Sequence, residues 1–303
     1  MEASPFTFGF GSSAWPAPNE RTSDLQVGVV PSSGSHDTLV LVEAVAPPPP
    51  RSWPFVAVTG TPFVRVLPEA DAVTGLASDR LAGAYEGGAK QWECTHDLLR
   101  WMSTPSAAAL THGAIVLDLG CGAGLAGIAA LRGSAARCIF QDLNVEVLRE
   151  VTLRNLVANA GAAGTAHTTL LAGTWDAAIS TASSDRGGTN GGRAGDVVTA
   201  DPLAVLRGGV DLILSSETLY NVAHFPSLLR LLDAVLKPEG LACFASKRHY
   251  FGVGGGATAF TAAAVAAGWD VRTVASVEDG RSMVRDVLEV RRRLGSLDGS
   301  TIA

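Results

Sequence analysis

Two carboxylates and a run of glycines pose the first chemical question. Asp118 follows the apolar stretch Ile115-Val116-Leu117 and leads into Gly120-Cys121-Gly122-Ala123-Gly124; a second acid, Asp142, lies twenty residues beyond Gly122. Gly122-Ala123-Gly124-Leu125-Ala126-Gly127 fits G-x-G-x-x-G, the loop that cradles a dinucleotide pyrophosphate, with an acid about 20 residues on for the ribose. The same residues also suit a sulfonium nucleoside, S-adenosylmethionine. A pyrophosphate beside Asp118 would be repelled, whereas S-adenosylmethionine has no phosphate and carries a sulfonium and an ammonium that favour a nearby carboxylate. The pattern therefore favours S-adenosylmethionine. Asp118 and Gly120 are expected under its methionine arm, close to Gly122, and Asp142 is expected to accept its ribose hydroxyls. The plain alternatives are a buried strand-end aspartate with a structural hydrogen bond and an exposed helix-capping acid.

The elements that must position these residues are legible from hydrophobic periodicity. Trp92 to Met102 reads as a helix, Ile115 to Leu119 as a strand running into the glycine loop, and an Ala/Leu-rich helix follows. Cys138 to Asp142 is a second strand. Asn144 is placed to cap a helix over Val145 to Asn159, and Thr168 to Leu171 is a short third strand. Asp211 to Ser215 is continuous and apolar, as a strand buried on both faces should be. Pro226 suits a first helical position, opening a helix from Ser227 to Leu236 that Lys237-Pro238-Glu239-Gly240 would stop. Leu241 to Ser246 is a fifth strand and Ala257 to Ala267 a helix. Trp269 to Val277 and Ser282 to Arg291 form two strands joined by a turn at Asp279-Gly280. A hairpin after a βα series implies an antiparallel strand closing a parallel sheet. The expected fold is α/β, a Rossmann-like seven-stranded sheet with a C-terminal antiparallel hairpin. That hairpin favours a methyltransferase sheet over the six parallel strands of a dehydrogenase.

Longer segments resemble a known family. Tyr85-Glu86-Gly87-Gly88, Trp92-Glu93-Cys94-Thr95, Leu117-Asp118-Leu119-Gly120-Cys121-Gly122, Gln141-Asp142, Ser216-Glu217-Thr218-Leu219-Tyr220-Asn221 and His249-Tyr250-Phe251-Gly252-Val253-Gly254-Gly255-Gly256 are similar to the eukaryotic histidine protein methyltransferases, seven-β-strand enzymes of the methyltransferase-like protein 18 type. The resemblance covers about residues 80 to 291. The chain departs from it in its proline-rich N-terminus, in Leu143 where an aromatic is usual, and in Thr174 where an acid is usual before Trp175. It implies that Trp92, Glu93 and Thr95 cover the cofactor and that Gln141 and Leu143 frame the adenosine, with Trp175 stacking near the adenine. Ser215 and Ser216 end the fourth strand at the ligand-binding edge. Glu217, Tyr220, Asn221 and His249 would face the acceptor nitrogen, without the sequence saying which of them orients it. A surface histidine is the plain alternative for His249, and Lys247 and Arg248 read as a solvated turn. The implied activity is S-adenosylmethionine-dependent methylation of a histidine in a basic large-subunit ribosomal protein, by a monomer in cytoplasm and nucleus. A protein-lysine methyltransferase on the same scaffold is the alternative.

Composition bounds the rest. The 303 residues are 47% hydrophobic and 17% charged, with 23 Lys+Arg against 29 Asp+Glu and a net charge of −6. That balance opposes direct nucleic-acid binding, which needs a cationic excess. No apolar run approaches the roughly 20 residues of a membrane span, and Met1 to Pro5 lacks the pattern of a secretory signal. The composition reads as soluble and intracellular. Cys94, Cys121, Cys138 and Cys243 form no C-x-x-C pair, so neither a disulfide framework nor a zinc site is expected. Prolines crowd the first 70 residues, including Pro47-Pro48-Pro49-Pro50, and residues 1–80 read as a largely irregular extension. Within it, Thr38 to Val42 is a strand candidate and Phe6-Thr7-Phe8-Gly9-Phe10 a small aromatic anchor. Ser183 to Gly195 reads as a glycine-rich loop. The expected division is extension 1–80, S-adenosylmethionine-dependent domain 81–291 and tail 292–303.

Overall fold

The computed structural model describes residues 40–42, 55–57, 64–66, 86–183, 206–280 and 282–293. The aromatic stretch at Phe6–Phe10, the proline run, Tyr85 and the glycine-rich patch beyond Ser183 lie outside them. The strands are β1 (Val40–Val42), β2 (Phe55–Ala57), β3 (Val64–Val66), β4 (Ile115–Leu119), β5 (Arg137–Asp142), β6 (Thr168–Ala172), β7 (Val210–Ser216), β8 (Leu236–Lys247), β9 (Trp269–Val277) and β10 (Arg285–Arg292). The helices are α1 (Glu93–Met102), α2 (Pro105–Ala108), α3 (Leu125–Arg132), α4 (Val145–Val147), α5 (Leu153–Thr165), α6 (Trp175–Ser183), α7 (Phe225–Val235) and α8 (Ala257–Ala266).

One sheet runs in the order β1-β6-β5-β4-β7-β8-β10-β9. Strands β4 to β8 pair in parallel, and β10 is antiparallel to both β8 and β9. This is the expected seven-stranded sheet with its closing hairpin. An eighth strand, β1, pairs antiparallel to the edge strand β6 through Val42 and Leu170. The segments of β2 and β3 read as irregular chain in the sequence, yet they pair as a separate antiparallel hairpin.

Alternation along the central strands divides the core into two layers, because successive side chains leave opposite faces. Val116, Leu212 and Leu214 face α1, α3 and α5, packing with Leu98, Ile128 and Leu156. Leu117, Leu119 and Ile213 face the other way, with Leu228, Leu231 and Phe260. Both faces are covered, which is why β7 reads as continuous apolar sequence.

Three expectations need correction. Asn144 occupies the position before α4, but its side chain makes no capping hydrogen bond. The helix instead passes through a π-helical turn at Leu148–Thr152 and continues to Thr165. Lys237-Pro238-Glu239-Gly240 does not separate helix from strand; it belongs to β8 as a bulge. The register steps there from Val210↔Leu236 to Leu212↔Leu241. Asp211 holds the bulge, accepting from Lys237 Nζ at 2.6 Å and from the Ile115 amide at 2.9 Å.

Strand order reverses between β4 and β7, with β5 and β6 to one side and β8 to the other. A crevice opens at the carboxyl ends of strands at such a switch point. The glycine loop, Asp142, Ser216 and Lys247 all lie at that edge.

Candidate active site

The turn after β4 sets the floor of the crevice. Gly120, Gly122 and Gly124 all have positive φ (61°, 49° and 72°), where a β-carbon is strained. A β-carbon on Gly120 would lie 2.7 Å from Thr218 Cγ2, and one on Gly122 would lie 2.8 Å from the Gly88 carbonyl oxygen. These close approaches bring the loop against Gly88 and Thr218 around one cavity of about 420 Å³. Gln141 ties the loop to the segment after β6: its Oε1 accepts from the Gly120 amide at 3.2 Å and its Nε2 donates to the Gly173 carbonyl at 2.7 Å.

Asp142 is buried and reaches the cavity wall. Its Oδ2 accepts from the Gly122 amide at 2.9 Å and its Oδ1 from the Asn144 amide at 3.3 Å. Burial pushes its pKa up against those amides, the Gly122 bond opposing most strongly. A carboxylate offers about four acceptor sites, and with the Leu143 amide also bonded to it one remains for a ribose hydroxyl. Leu143 and Trp175 line the same end. Thr174, the departure from the family's acid, accepts from the Ala177 amide at 3.2 Å and so caps α6.

Asp118 is placed differently from the expectation. It shares the Val116 face of β4, turned toward α3, and its Oδ2 accepts from the Gly127 amide at 2.8 Å. It does not line the cavity. Burial pushes its pKa up to about 8, with the Gly127 bond opposing and the charge of Asp142 adding to the rise. Asp118 thus sits behind the loop, bonded to the first turns of α3, and does not open onto the cavity.

The opposite end of the cavity is aromatic and acidic. Glu217 follows β7 with φ at 59°, one of two non-glycine residues with positive φ among those described. Its Oε1 accepts from the Cys94 amide at 3.3 Å, in the first turn of α1, where helix amides lack internal partners. Its Oε2 accepts from the Tyr250 hydroxyl. Burial first, and then the Glu217 charge, push the Tyr250 and Cys94 pKa values upward, so both stay protonated. Tyr220 donates to Glu86 Oε2 at 2.6 Å, and its ring centroid lies 6.4 Å from that of Tyr250. His224 sits edge-on between Tyr220 and Trp175, at 5.7 and 6.0 Å.

The segment from Glu86 to Trp92 lines the cavity. Gly88 lies against Asp142 and Gly122, and Trp92 Nε1 donates to the Gly87 carbonyl at 3.1 Å. Thr95 Oγ1 and Ser216 Oγ, 2.9 Å apart, link α1 to the end of β7.

Of the expected site residues, Trp92, Thr95, Gly120, Gly122, Gln141, Asp142, Leu143, Trp175, Ser216, Glu217 and Tyr220 line the cavity. Five do not. Besides Asp118, Ser215 is fully buried, its hydroxyl donating to the Leu119 carbonyl at 2.8 Å. Glu93 is exposed and pairs with Lys247 Nζ at 3.4 Å. Asn221 accepts from the Ala223 amide at 3.0 Å and caps a single turn. His249 points to solvent, and Tyr250, the next residue, takes the place expected of it. Lys247 lines the cavity instead of a solvated turn, while Arg248 is clamped by both oxygens of Asp286 at 2.8 Å. His224 carries no role in the sequence reading; its spacing of four from Tyr220, just past a buried strand, is the signal that could have found it.

The residues present fit S-adenosylmethionine. Asp142 and Leu143 would hold its nucleoside beside Trp175, and the Gly120–Gly122 backbone its methionine arm, leaving Glu217, Tyr220 and Tyr250 for an acceptor. Among the described residues no group of three or more His, Cys, Asp or Glu side chains could hold a metal ion.

Comparison with known proteins adds independent support. Residues 92–272 match a family model described as a methyltransferase domain. The histidine protein methyltransferase 1 homolog of Rattus norvegicus is 38% identical over 225 residues, covering 67% of this chain and 56% of that protein. The one of Bos taurus is 39% identical over 189 residues, covering 60% and 49%. That of Dictyostelium discoideum is 32% identical over 219 residues, covering 72% and 62%. The chain thus spans roughly half of the length of the curated relatives it matches. With the parallel sheet, its antiparallel hairpin and the glycine-floored cavity at the switch point in agreement with that match, the chain belongs to the methyltransferase-domain family.

Proposed function

We propose that the chain is an S-adenosylmethionine-dependent protein-histidine N-methyltransferase. The observation that carries the reading is its similarity to relatives bearing that name, 38% identical over 225 residues in one and 32% over 219 in another. S-adenosylmethionine supplies a methyl group on a sulfonium, and an in-line acceptor lone pair displaces it. A neutral imidazole is already a nucleophile, so the chain need not supply a strong base. It must align the ring and hold the ring's other N–H, so that the positive charge of the product has a partner. The Glu217 carboxylate is suited to that part, with Tyr250 and the Cys94 amide fixing its orientation. Alignment of this kind can lower a barrier by about 7–11 kcal/mol at best.

For the acceptor we propose a histidine of a basic large-subunit ribosomal protein, modified in the cytoplasm or nucleus by a monomeric enzyme. A net charge of −6 is compatible with such a partner before it is buried in RNA. The experiment is mass spectrometry of a proteome incubated with the protein and isotopically labelled S-adenosylmethionine. Label on one histidine of a ribosomal protein is the expected result. Label on lysine would transfer the assignment to a protein-lysine methyltransferase, and label on a non-ribosomal histidine would retain the activity and reject the substrate.

A further inference from the structure

Among the described residues only three large apolar side chains are exposed: Phe251 at 83%, Val222 at 45% and Val265 at 43%. Val265 sits on α8. The other two flank the cavity: Phe251 follows Tyr250, Val222 lies two residues after Tyr220, and both tyrosines line the acceptor end.

The loops carrying them are built as one structure. Asn221 and Gly254 form a backbone bridge, and the Gly256 amide donates to the Leu219 carbonyl at 2.7 Å. The Tyr250 amide donates to Gly255 at 3.0 Å, and the Gly254 amide donates back to Tyr250 at 3.2 Å. A β-carbon on Gly255 would collide with the Tyr220 carbonyl. Glycine is therefore required where the two loops touch, and Phe251 is held out from a tied turn rather than left on a loose one.

We propose that Phe251 and Val222 form a docking lip for the protein substrate, receiving apolar side chains that immediately flank the acceptor residue. This rests on the protein-substrate reading above. A substrate segment that inserts one side chain between Tyr220 and Tyr250 must pass over the residues beside those tyrosines. An extended chain advances about 3.3 Å per residue, so its next one or two positions fall on the lip. Exposed apolar surface at that point is satisfied by apolar neighbours of the acceptor.

The test uses binding, which does not depend on turnover. Two short synthetic peptides carry a central histidine flanked on both sides by leucine or by serine, and a second pair carries a central lysine. Fluorescence polarisation is read with S-adenosylhomocysteine at saturation. The leucine-flanked peptide should bind about tenfold tighter to the wild-type protein, and Phe251→Ser or Val222→Ser should erase that preference. Val265→Ser should retain it, and cofactor affinity and melting temperature should be unchanged in all three exposed variants. Equal binding of the two flanks by wild type, or a preference that survives in Phe251→Ser, would overturn the proposal. So would a dimer in wild type that Phe251→Ser dissociates, because the lip would then belong to a second copy. A flank preference with methyl transfer only to lysine would keep the lip and reject the histidine acceptor.

Discussion

The Tyr250 hydroxyl donates to the Glu217 carboxylate across the mouth of the cavity, joining the segment after β8 to the end of β7. Glu217 holds this position with a left-handed backbone, a cost of about 1–3 kcal/mol for a non-glycine residue. Strain of that kind persists where the surroundings demand it, and here they are a helix amide and a phenol. Glu217→Gln should lower kcat/KM for the acceptor by about 10²-fold or more while leaving S-adenosylmethionine affinity within about twofold. Glu217→Gly should relieve the backbone, forfeit both hydrogen bonds of the carboxylate and abolish transfer. Calorimetry with the cofactor and steady-state methylation separate the two effects; a Gln variant with full activity would remove Glu217 from the acceptor end.

The glycine loop makes a sharper claim on the cofactor. Gly120→Arg must place a side chain where Thr218 already stands, and Gly122→Ala must displace the Gly88 carbonyl. Cofactor binding should vanish in the first and fall by at least about tenfold in the second, each protein remaining folded by circular dichroism. Undiminished binding by calorimetry in folded Gly120→Arg would reject the loop as the cofactor's floor.

The sheet and the switch point are legible in the sequence because buried parallel strands and amphipathic helices impose periods that survive in a single chain. The direction of Asp118 is contained in the same alternation: Leu117 and Leu119 share one face, so Asp118 joins Val116 beneath α3. Charge at a strand end suggests charge in the site, and here the alternation turns it away from the cavity. His249 and Tyr250 differ for another reason. They sit in a turn with no period, and its direction is set by the distant contacts of Gly254 and Gly256 with the 219–221 segment. The bulge at Lys237-Pro238-Glu239-Gly240 is hidden similarly, since its anchor, Asp211, lies on another strand.

Asp118 gives a pH signature of its own. Its pKa is raised from 3.8 to about 8 in the folded protein, so the folded state keeps a proton that the unfolded chain has lost over that interval. The sign follows: this residue's contribution to stability is most favourable below about pH 4, falls by roughly 1.4 kcal/mol per pH unit between about pH 4 and pH 8, and is level above. Asp118→Asn can still accept the Gly127 amide and has nothing to ionise. Its melting temperature relative to wild type should therefore climb between about pH 4 and pH 8. A difference that is flat across that range would mean that Asp118 is ionised as readily in the fold as outside it. Asp118→Lys, by contrast, buries a cation against the β4–α3 turn and is expected to unfold the protein rather than report on cofactor binding.

The acceptor itself can be read from pH. A free imidazole titrates near 6.5 and a free lysine amine near about 10.4, and only the unprotonated nitrogen can attack the methyl. With a histidine acceptor, the single-turnover rate should rise through about pH 6–7 and level off by about pH 8. The Glu217 carboxylate refines this, because a carboxylate beside the bound ring favours imidazolium and moves the midpoint upward. Glu217→Gln should therefore shift the midpoint to lower pH as well as lowering the plateau, a displacement that loss of packing alone would not produce. A lysine acceptor would keep the rate climbing beyond pH 8 unless burial depresses its amine, so the profile is paired with a peptide in which the histidine is replaced by glutamine. A plateau near neutrality, no transfer to the glutamine peptide and a lower midpoint in Glu217→Gln are the expected results. A rate still rising at about pH 9, or an unmoved midpoint in the variant, would respectively reject the imidazole acceptor or its contact with Glu217.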